Sequence, residues 1–249
     1  NVATLAAPLP GLTLAQLNAA ASLLTRVDRK YLIDNRELAD LWAELPADVG
    51  VLDIGGERTF GYHSTYYDTK ALESFRATAQ PRRRRWKVRT RAYATGDAFL
   101  EVKTRRGAAT VKERISWDAQ RVGLGADSYR FIGDALGRAG VADVPRELVP
   151  RLETRYTRTT VLLPADGARV TLDEGLTWTD PASGATAALG EAHIVETKAG
   201  RSPSRLDRAL WARGHRPVRI SKYAVGLATL HPDLPRNRWH RLLARLETA

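Results

Sequence analysis

Cysteine is absent from this chain of 249 residues, and so is any long apolar run. The lack of cysteine excludes disulfides, thiolate zinc sites and cysteine nucleophiles, although it fits a reducing or an oxidising compartment equally well. No stretch reaches the roughly eighteen apolar residues that a membrane-spanning helix needs. Asn1–Leu24 lacks the positive start and the cleavage pattern of a signal peptide. We therefore predict a soluble, cytoplasmic protein without a membrane-spanning segment.

Lysine is scarce in an otherwise strongly basic chain. Only seven of the 39 basic residues are lysine, and the formal net charge is +11. This charge implies an anionic partner but does not choose between nucleic acid, an anionic membrane and a polyanionic small ligand. Six of the lysines fall in predicted strands or strand ends, and only Lys70 is predicted in a loop. Because arginine could have replaced any dispensable lysine, these six are candidates for sites that place a compact ammonium group on phosphate.

Signatures of several other site classes are missing. The five histidines are scattered without metal-ligand spacing, and no Ser-His-Asp order is recognisable. The run Arg82–Arg85 beside Trp86 could bind any polyanion, but no helix-turn-helix, zinc finger or aromatic RNA-binding strand accompanies it. We therefore predict no specific nucleic-acid partner and interpret the run as a solvated rim that steers phosphate chains inward.

The alternation of apolar and polar residues predicts a strand-rich chain. The predicted strands are Arg26–Ile33, Phe60–Tyr67, Arg84–Tyr93, Ala98–Thr104, Thr110–Trp117, Arg155–Leu163, Ala168–Leu172, His193–Lys198 and Val218–Tyr223. The predicted helices are Thr13–Leu24, Asn35–Trp42, Ser128–Ala139, Ser204–Arg213 and Trp239–Leu246. Because there is no internal repeat or long linker, we predict a single domain over residues 1–249, with a core at about 24–230 and a C-terminal helix at 236–247.

Strands that have one apolar and one charged face, at a count near eight, are typical of a closed barrel. A β-sandwich would instead need apolar inner faces on both of its sheets. We therefore predict an α+β fold in which a closed antiparallel eight-stranded β-barrel, with flanking helices, encloses a wet and charged lumen.

Alternate residues on a strand share one face, so each predicted strand presents a row of side chains. Four like charges line one face of a single strand: Arg85, Lys87, Arg89 and Arg91. Such a row is costly without an anion, unless the face is fully solvated. The other rows pair Asp28 with Lys30, Glu101 with Lys103, Lys112 with Arg114, Arg169 with Asp173 and Glu196 with Lys198, and add Arg158 and Lys222.

This mixture of cations and carboxylates suits a triphosphate. Arginine grips phosphate oxygens in pairs, lysine neutralises them as a point charge, and carboxylates hold Mg²⁺ or Mn²⁺ through oxygen ligands. An interior salt bridge is the alternative role for Glu101 and Glu196.

Nine short strings occur in order along the chain: Arg26–Tyr31, Tyr66–Thr69, Lys87–Tyr93, Phe99–Lys103, Val111–Arg114, Arg155–Arg158, Arg169–Asp173, Ile194–Lys198 and Ser221–Tyr223. Each is weak alone, but together they resemble the VTC domain of the triphosphate tunnel metalloenzymes, a CYTH-like superfamily, over about residues 24–230. One departure matters: the wider superfamily opens with Glu-x-Glu-x-Lys, whereas this chain has Arg26, Asp28 and Lys30. The loss of a carboxylate points to the VTC branch and to less metal binding by the first strand.

The resemblance implies a polyphosphate polymerase that transfers the γ-phosphate of ATP to polyphosphate, with Mn²⁺ or Mg²⁺ as cofactor and a nucleoside triphosphate, triphosphate or polyphosphate as ligand. From the motifs and the strand faces, the expected phosphate-binding residues are Lys30, Lys87, Arg89, Arg91, Lys103, Lys112, Arg114, Arg158, Arg169, Lys198 and Lys222. The expected catalytic residues among them are Arg89, Arg91, Lys112 and Lys222. The expected metal ligands are Glu196 and Glu101.

Two other functions could use the same residues. A metal-dependent triphosphatase would have water as the acceptor of the phosphoryl group. A non-catalytic sensor domain would bind polyphosphate or nucleotide without a productive metal geometry.

Overall fold

The computed structural model describes residues 2–20, 27–46, 48–107 and 109–247. The strands are β1 Gly11–Leu12, β2 Val27–Ile33, β3 Gly50–Leu52, β4 Thr59–Asp68, β5 Arg84–Tyr93, β6 Ala98–Arg106, β7 Ala109–Ser116, β8 Val149–Leu163, β9 Ala168–Thr179, β10 Thr186–Ala188 and β11 His193–Ala199. The helices are α1 Val2–Ala6, α2 Leu14–Ala20, α3 Asn35–Ala43, α4 Glu73–Ala79, α5 Ala126–Arg138, α6 Arg205–Ala212, α7 Lys222–Leu230 and α8 His240–Glu247. Two short 3₁₀ helices are Pro164–Asp166 and Asn237–Trp239.

Eleven strands form one sheet, but this sheet does not close. Eight of them follow the order β2-β11-β9-β8-β4-β5-β6-β7, while β1 pairs with β3, β3 with β8 and β10 with β9. The sheet is antiparallel apart from the parallel pair of β1 and β3. Within the described residues, the end strands β2 and β7 do not pair with each other. The prediction of a closed eight-stranded barrel was therefore wrong.

The sequence pattern could not distinguish the two architectures. An antiparallel sheet that packs one face on a core and leaves the other to water gives the same period-two alternation as a barrel with a wet lumen. Closure instead needs backbone hydrogen bonds between the first and the last strand, which no alternation of side chains specifies. Strand β7 also carries Lys112 and Arg114, and charge on an edge strand opposes further pairing.

The chain groups into two compact units. Unit 1 comprises residues 1–61, 156–176 and 189–219. In it β11 lies between β2 and β9, so that Glu196 is opposite Lys30 on one side and Thr171 on the other. The neighbouring residue Val195 points the other way into the apolar core, as period-two alternation requires. The same strand therefore supplies a core side chain and a charged one.

Unit 2 comprises residues 62–155, 177–188 and 220–249. Its strands β5, β6 and β7 follow one another as antiparallel neighbours. The turn between β5 and β6 contains Gly96 at φ 94°, a left-handed backbone conformation that favours glycine. Val88 and Leu100 pack with Ile132 of α5 on the apolar face of these strands. The opposite face holds most of the predicted site residues of this unit.

Several helices begin where the sequence supplies a cap. Asp34 accepts a hydrogen bond from the Glu37 backbone at 2.8 Å at the start of α3, and Ser204 plays the same part for Asp207 at the start of α6. The first helix was predicted to begin at Asn35, which is the first residue of α3, and the second at Ser204, which directly precedes α6. In the described parts of the chain, no helix is long and apolar enough to cross a membrane.

The placement of Lys222 corrects one predicted strand. We expected Val218–Tyr223 to be extended, but Lys222 is the first residue of α7. The Ser221 hydroxyl accepts a hydrogen bond from the Ala224 backbone at 3.2 Å and so caps this helix. Strand β5 coincides with its predicted range, whereas Arg26 lies outside the described residues.

Candidate functional site

The largest group of predicted site residues lies on one face of β5, β6 and β7 in unit 2. Strand register places these side chains in successive rows across the three strands. The rows are Arg91, Phe99 and Ser116; Arg89, Glu101 and Arg114; Lys87, Lys103 and Lys112; and Arg85, Arg105 and Thr110. We define the Glu101 cluster as Glu101 with Lys87, Arg89, Arg91, Lys103, Lys112 and Arg114.

Glu101 is the single carboxylate of this cluster, and only 2% of it is exposed. Arg89 Nε donates to one of its oxygens at 2.7 Å, and Lys112 Nζ contacts the other. Burial alone would raise the pKa of Glu101, but the charges of Arg89, Arg91 and Lys112 outweigh burial and lower the pKa to about 2. Glu101 is therefore ionised at neutral pH and holds two cations close together.

Three lysines lie opposite one another on adjacent strands. Lys103 is the middle residue, with Lys87 on one side and Lys112 on the other, at Cβ separations of about 5 Å. Lys87 Nζ donates to the Ser221 hydroxyl at 2.7 Å. Burial lowers the pKa of Lys112, and the carboxylate of Glu101 opposes this effect. An anion bound over this row would relieve the repulsion between its charges.

Side chains of β4 orient the two arginines of the cluster. Arg89 donates to the Tyr66 hydroxyl at 3.0 Å, and Arg91 Nε donates to the Ser64 hydroxyl at 3.1 Å. The Arg91 guanidinium also lies 5.2 Å from the ring centroid of Tyr62. We did not predict these three partners as site residues. Their period-two spacing on β4, which places them on one face, was the signal that could have identified them.

Lys222 is tied to unit 2 through the start of α7. The Trp178 indole donates to the Lys222 carbonyl at 2.8 Å, and the Tyr223 hydroxyl donates to Asp68 at 2.5 Å. Burial would raise the pKa of Tyr66, but the charges of Arg89 and Arg91, with a smaller contribution from Lys222, lower it. The charge of Lys222 therefore acts on the same tyrosine as the two arginines.

The remaining predicted residues lie in unit 1, on one face of β2, β11 and β9, except for Arg158, which belongs to β8. The rows here are Asp28, Lys198 and Arg169; Lys30, Glu196 and Thr171; and Leu32, Ile194 and Asp173. We define the Glu196 cluster as Asp28, Lys30, Arg158, Arg169, Asp173, Glu196 and Lys198.

Glu196 is the centre of this cluster. Its two oxygens contact Lys30 Nζ at 2.8 Å and Lys198 Nζ at 2.6 Å. Burial opposes ionisation of Glu196, but the two ammonium groups outweigh it and hold the pKa well below its usual range. Burial lowers the pKa of Lys198 to about 8, against the opposing charges of Glu196 and Asp28.

The two arginines of the Glu196 cluster have carboxylate or amide partners. Arg158 binds Asp173 through two hydrogen bonds of 2.5 and 2.8 Å, the paired geometry that guanidinium also offers to phosphate. Arg169 donates to the Asn18 side chain at 2.9 Å and to the Leu17 carbonyl at 3.3 Å. Both arginines are therefore held by protein groups within unit 1.

The donor set limits how a divalent metal could bind. Across the described residues there is no group of three or more His, Cys, Asp or Glu side chains that could hold a metal ion. Glu196 and Glu101 belong to different units, and each is bracketed by cations. A metal held by protein ligands alone does not fit. A metal that arrives with phosphate fits better, since Mg²⁺ commonly takes one or two carboxylates and completes its shell with phosphate oxygens and water.

Comparison with known proteins gives one match. The family model of the VTC domain matches residues 25–231, which is more than half of the chain. The match confirms the resemblance that the nine strings suggested. No curated protein matches the chain.

Proposed function

The chain belongs to the VTC domain family, and from this premise we propose that it binds triphosphate, polyphosphate or a nucleoside triphosphate and acts as a polyphosphate polymerase. Membership in this family indicates a polyphosphate-related function. The observation that carries the finer proposal is the row of Lys87, Lys103 and Lys112 beside the single carboxylate of Glu101. The six cations of the Glu101 cluster outnumber its one carboxylate, which leaves the cluster with a net charge of +5 that a phosphate chain would neutralise.

The geometry supports this proposal because the cations are held in place before any ligand arrives. Glu101 keeps Arg89 and Lys112 next to each other, while Tyr66 and Ser64 orient the arginines. In phosphoryl transfer, negative charge spreads over the oxygens of the transferred group, and pre-positioned cations stabilise that charge without further reorganisation. In this proposal, Arg89, Arg91, Lys112 and Lys222 supply that stabilisation.

The Glu196 cluster would bind phosphate by exchange of partners. Lys30 and Lys198 both form ion pairs with Glu196. A phosphate group could take over either ammonium group, and one oxygen of Glu196 would then be available to a divalent cation. Arg158 and Arg169 could contribute only if phosphate competes with Asp173 or Asn18.

We extend the proposal to a cofactor, Mn²⁺ or Mg²⁺, with Glu196 as its carboxylate ligand and Glu101 as the second candidate. Such an ion would neutralise charge on the phosphate oxygens to which it is bound. Glu196 is strongly ionised and has hard oxygen donors, as these ions require. We place the activity in the cytoplasm, where nucleoside triphosphate is available.

The test is a product analysis with purified protein. The protein is incubated with ATP and Mn²⁺, and polyphosphate, free phosphate and ADP are resolved and quantified. A polymerase yields ADP and polyphosphate in matched phosphate equivalents, and chelation of the metal abolishes both. Free phosphate without polyphosphate would identify a triphosphatase instead and would contradict the polymerase assignment.

One observation favours a second candidate function, a non-catalytic polyphosphate or nucleotide sensor. Glu101 and Glu196 are both already paired with cations, and the described residues contain no three-ligand metal cluster. Such a site could bind phosphate without turning it over. A single-turnover experiment with γ-labelled ATP distinguishes the two functions, because a sensor retains the label in intact ATP.

A further inference from the structure

Six arginines lie at the open end of the β5–β6 hairpin, opposite its turn. Four are consecutive, Arg82–Arg85, and the other two, Arg105 and Arg106, end strand β6. Strand register places Arg84 opposite Arg106 and Arg85 opposite Arg105. We call these six residues the arginine ladder.

The ladder concentrates like charge in a way that costs stability. Side chains directly opposite on antiparallel strands lie about 5 Å apart at Cβ, and like charges at that separation repel each other. Arg82, Arg83 and Arg84 are exposed, as are both arginines of β6. In the parts of the chain that the structure describes, no ion pair with a carboxylate is formed by the five exposed members of the ladder, Arg82, Arg83, Arg84, Arg105 and Arg106. Their repulsion is therefore offset by solvent and by counterions, which a polyanion could displace.

Two members of the ladder, Arg85 and Arg105, continue the rows of the Glu101 cluster along the hairpin, whereas alternation places the paired residues Arg84 and Arg106 on the opposite sheet face. The row of Arg85 and Arg105 follows directly on the row of Lys87 and Lys103 on the same sheet face. Successive rows on one face of a strand are about 7 Å apart. The cations of this face therefore extend without a break from Glu101 to the end of the hairpin.

We propose that the arginine ladder is a separate binding surface for a linear polyphosphate chain, which it holds beyond the phosphate groups bound at the Glu101 cluster. This inference rests on the proposed function and adds chain-length dependence to it. A triphosphate would be bound by the cluster, whereas a long chain would reach the ladder as well and bind more tightly. The contacts are to phosphate oxygens alone, so the surface recognises repeated charge.

Single-stranded nucleic acid would offer similar phosphates, but the ladder lacks the aromatic surface that such ligands use. Proteins that bind single strands stack bases on exposed aromatic rings. The nearest aromatic residue in sequence, Trp86, is 6% exposed and packs in the apolar core on the opposite face of β5. The ladder therefore matches a polyanion without bases.

The test compares a ladder variant with a charge-matched control. The ladder variant carries Arg82→Gln, Arg83→Gln, Arg105→Gln and Arg106→Gln, all at exposed positions, and so includes Arg105 from the row that continues the Glu101 cluster. The control carries Arg36→Gln, Arg130→Gln, Arg146→Gln and Arg241→Gln, which are equally exposed and remove the same total charge. Isothermal titration calorimetry measures tripolyphosphate, long-chain polyphosphate and single-stranded oligodeoxynucleotide on the wild type and both variants.

In the wild type, we expect a lower dissociation constant for long-chain polyphosphate than for tripolyphosphate, with both concentrations expressed per mole of chains. In the ladder variant, the affinity for the long chain should fall at least about tenfold, while that for tripolyphosphate should stay within about twofold. The slope of log affinity against log salt for the long chain should become shallower by about three, since four phosphate contacts are removed. The control should retain the wild-type preference.

Three results would overturn the inference. They are equal affinities of the wild type for long and short chains, an equal loss in the ladder variant and the control, and tighter binding of oligodeoxynucleotide than of long-chain polyphosphate. If tripolyphosphate binds normally in these cases, the proposed function stands and only the ladder fails. If neither polyphosphate binds the wild type, the proposed function itself is contradicted.

Discussion

The Glu101 and Glu196 clusters share one arrangement of charged side chains but differ in the ratio of cations to carboxylates. In each, a buried carboxylate on a central strand is flanked by two cations. The Glu196 cluster contains four cations and three carboxylates, whereas the Glu101 cluster contains six cations and one carboxylate. The Glu196 cluster is therefore close to neutral, with a net charge of +1, whereas the Glu101 cluster carries a net charge of +5. Under the proposed function, we therefore expect phosphate affinity to be concentrated in the Glu101 cluster.

The prediction with the largest expected effect compares the two clusters by neutralising each carboxylate in turn and measuring activation by Mn²⁺. Glu196→Gln keeps the shape of the side chain and removes its charge, and we expect it to lower Mn²⁺-dependent kcat by at least about a hundredfold. Glu101→Gln should retain activation by Mn²⁺, because we assign the metal first to Glu196. Titration of activity with Mn²⁺ measures both variants. Unchanged Mn²⁺ activation in the Glu196 variant would remove that residue as a ligand.

A second prediction concerns stability in unit 2. Glu101→Gln leaves Arg89 and Lys112 facing each other without their shared anion, so we expect the free energy of unfolding to fall by about 3 kcal/mol. Glu113→Gln is the control, since Glu113 pairs with the largely exposed Arg138, and the loss there should be below about 1 kcal/mol. Urea denaturation measures both.

Tripolyphosphate should restore part of the lost stability in the Glu101 variant, because it supplies the missing negative charge. The rise in melting temperature on its addition should therefore be larger than in the wild type. An equal rise in both proteins would show that the ligand does not approach Arg89 and Lys112.

A third prediction tests the excess of cations directly. Lys103→Gln removes the central charge of the lysine row, and we expect about tenfold weaker binding of tripolyphosphate. The melting temperature should hold or rise, because repulsion with Lys87 and Lys112 is relieved. Lys70→Gln, at an exposed position paired with Glu147, is the matched control. A large fall in the melting temperature of the Lys103 variant would show that this lysine is structural.

The smallest predicted effect concerns the orientation of an arginine. Tyr66→Phe keeps the ring and removes the hydroxyl that accepts from Arg89. We expect binding of tripolyphosphate to weaken by about fivefold, which corresponds to about 1 kcal/mol for one hydrogen bond. Calorimetry on this variant, with Tyr93→Phe as the control, provides the measurement. An unchanged affinity would show that Glu101 alone positions Arg89.

Prediction from sequence succeeded where the information was local to a strand. The alternation of Arg85, Lys87, Arg89 and Arg91 identified β5 and its basic face, and the Ile194–Lys198 string identified β11. It failed for Lys222, because the capping of α7 by Ser221 was not recognised. It also missed Tyr62, Ser64 and Tyr66, whose role depends on the pairing of β4 with β5.

The order of charged and apolar residues by itself determined the eight longer strands, the charged face of each and the membership of the VTC family, but not the short strands β1, β3 and β10. Only the tertiary structure decided that the sheet stays open and that Glu101 holds Arg89 and Lys112 while Glu196 holds Lys30 and Lys198. The physical reason is that period-two alternation fixes which way a side chain points from its own strand. The register between strands, which brings Lys103 between Lys87 and Lys112, arises from backbone hydrogen bonds between segments distant along the chain.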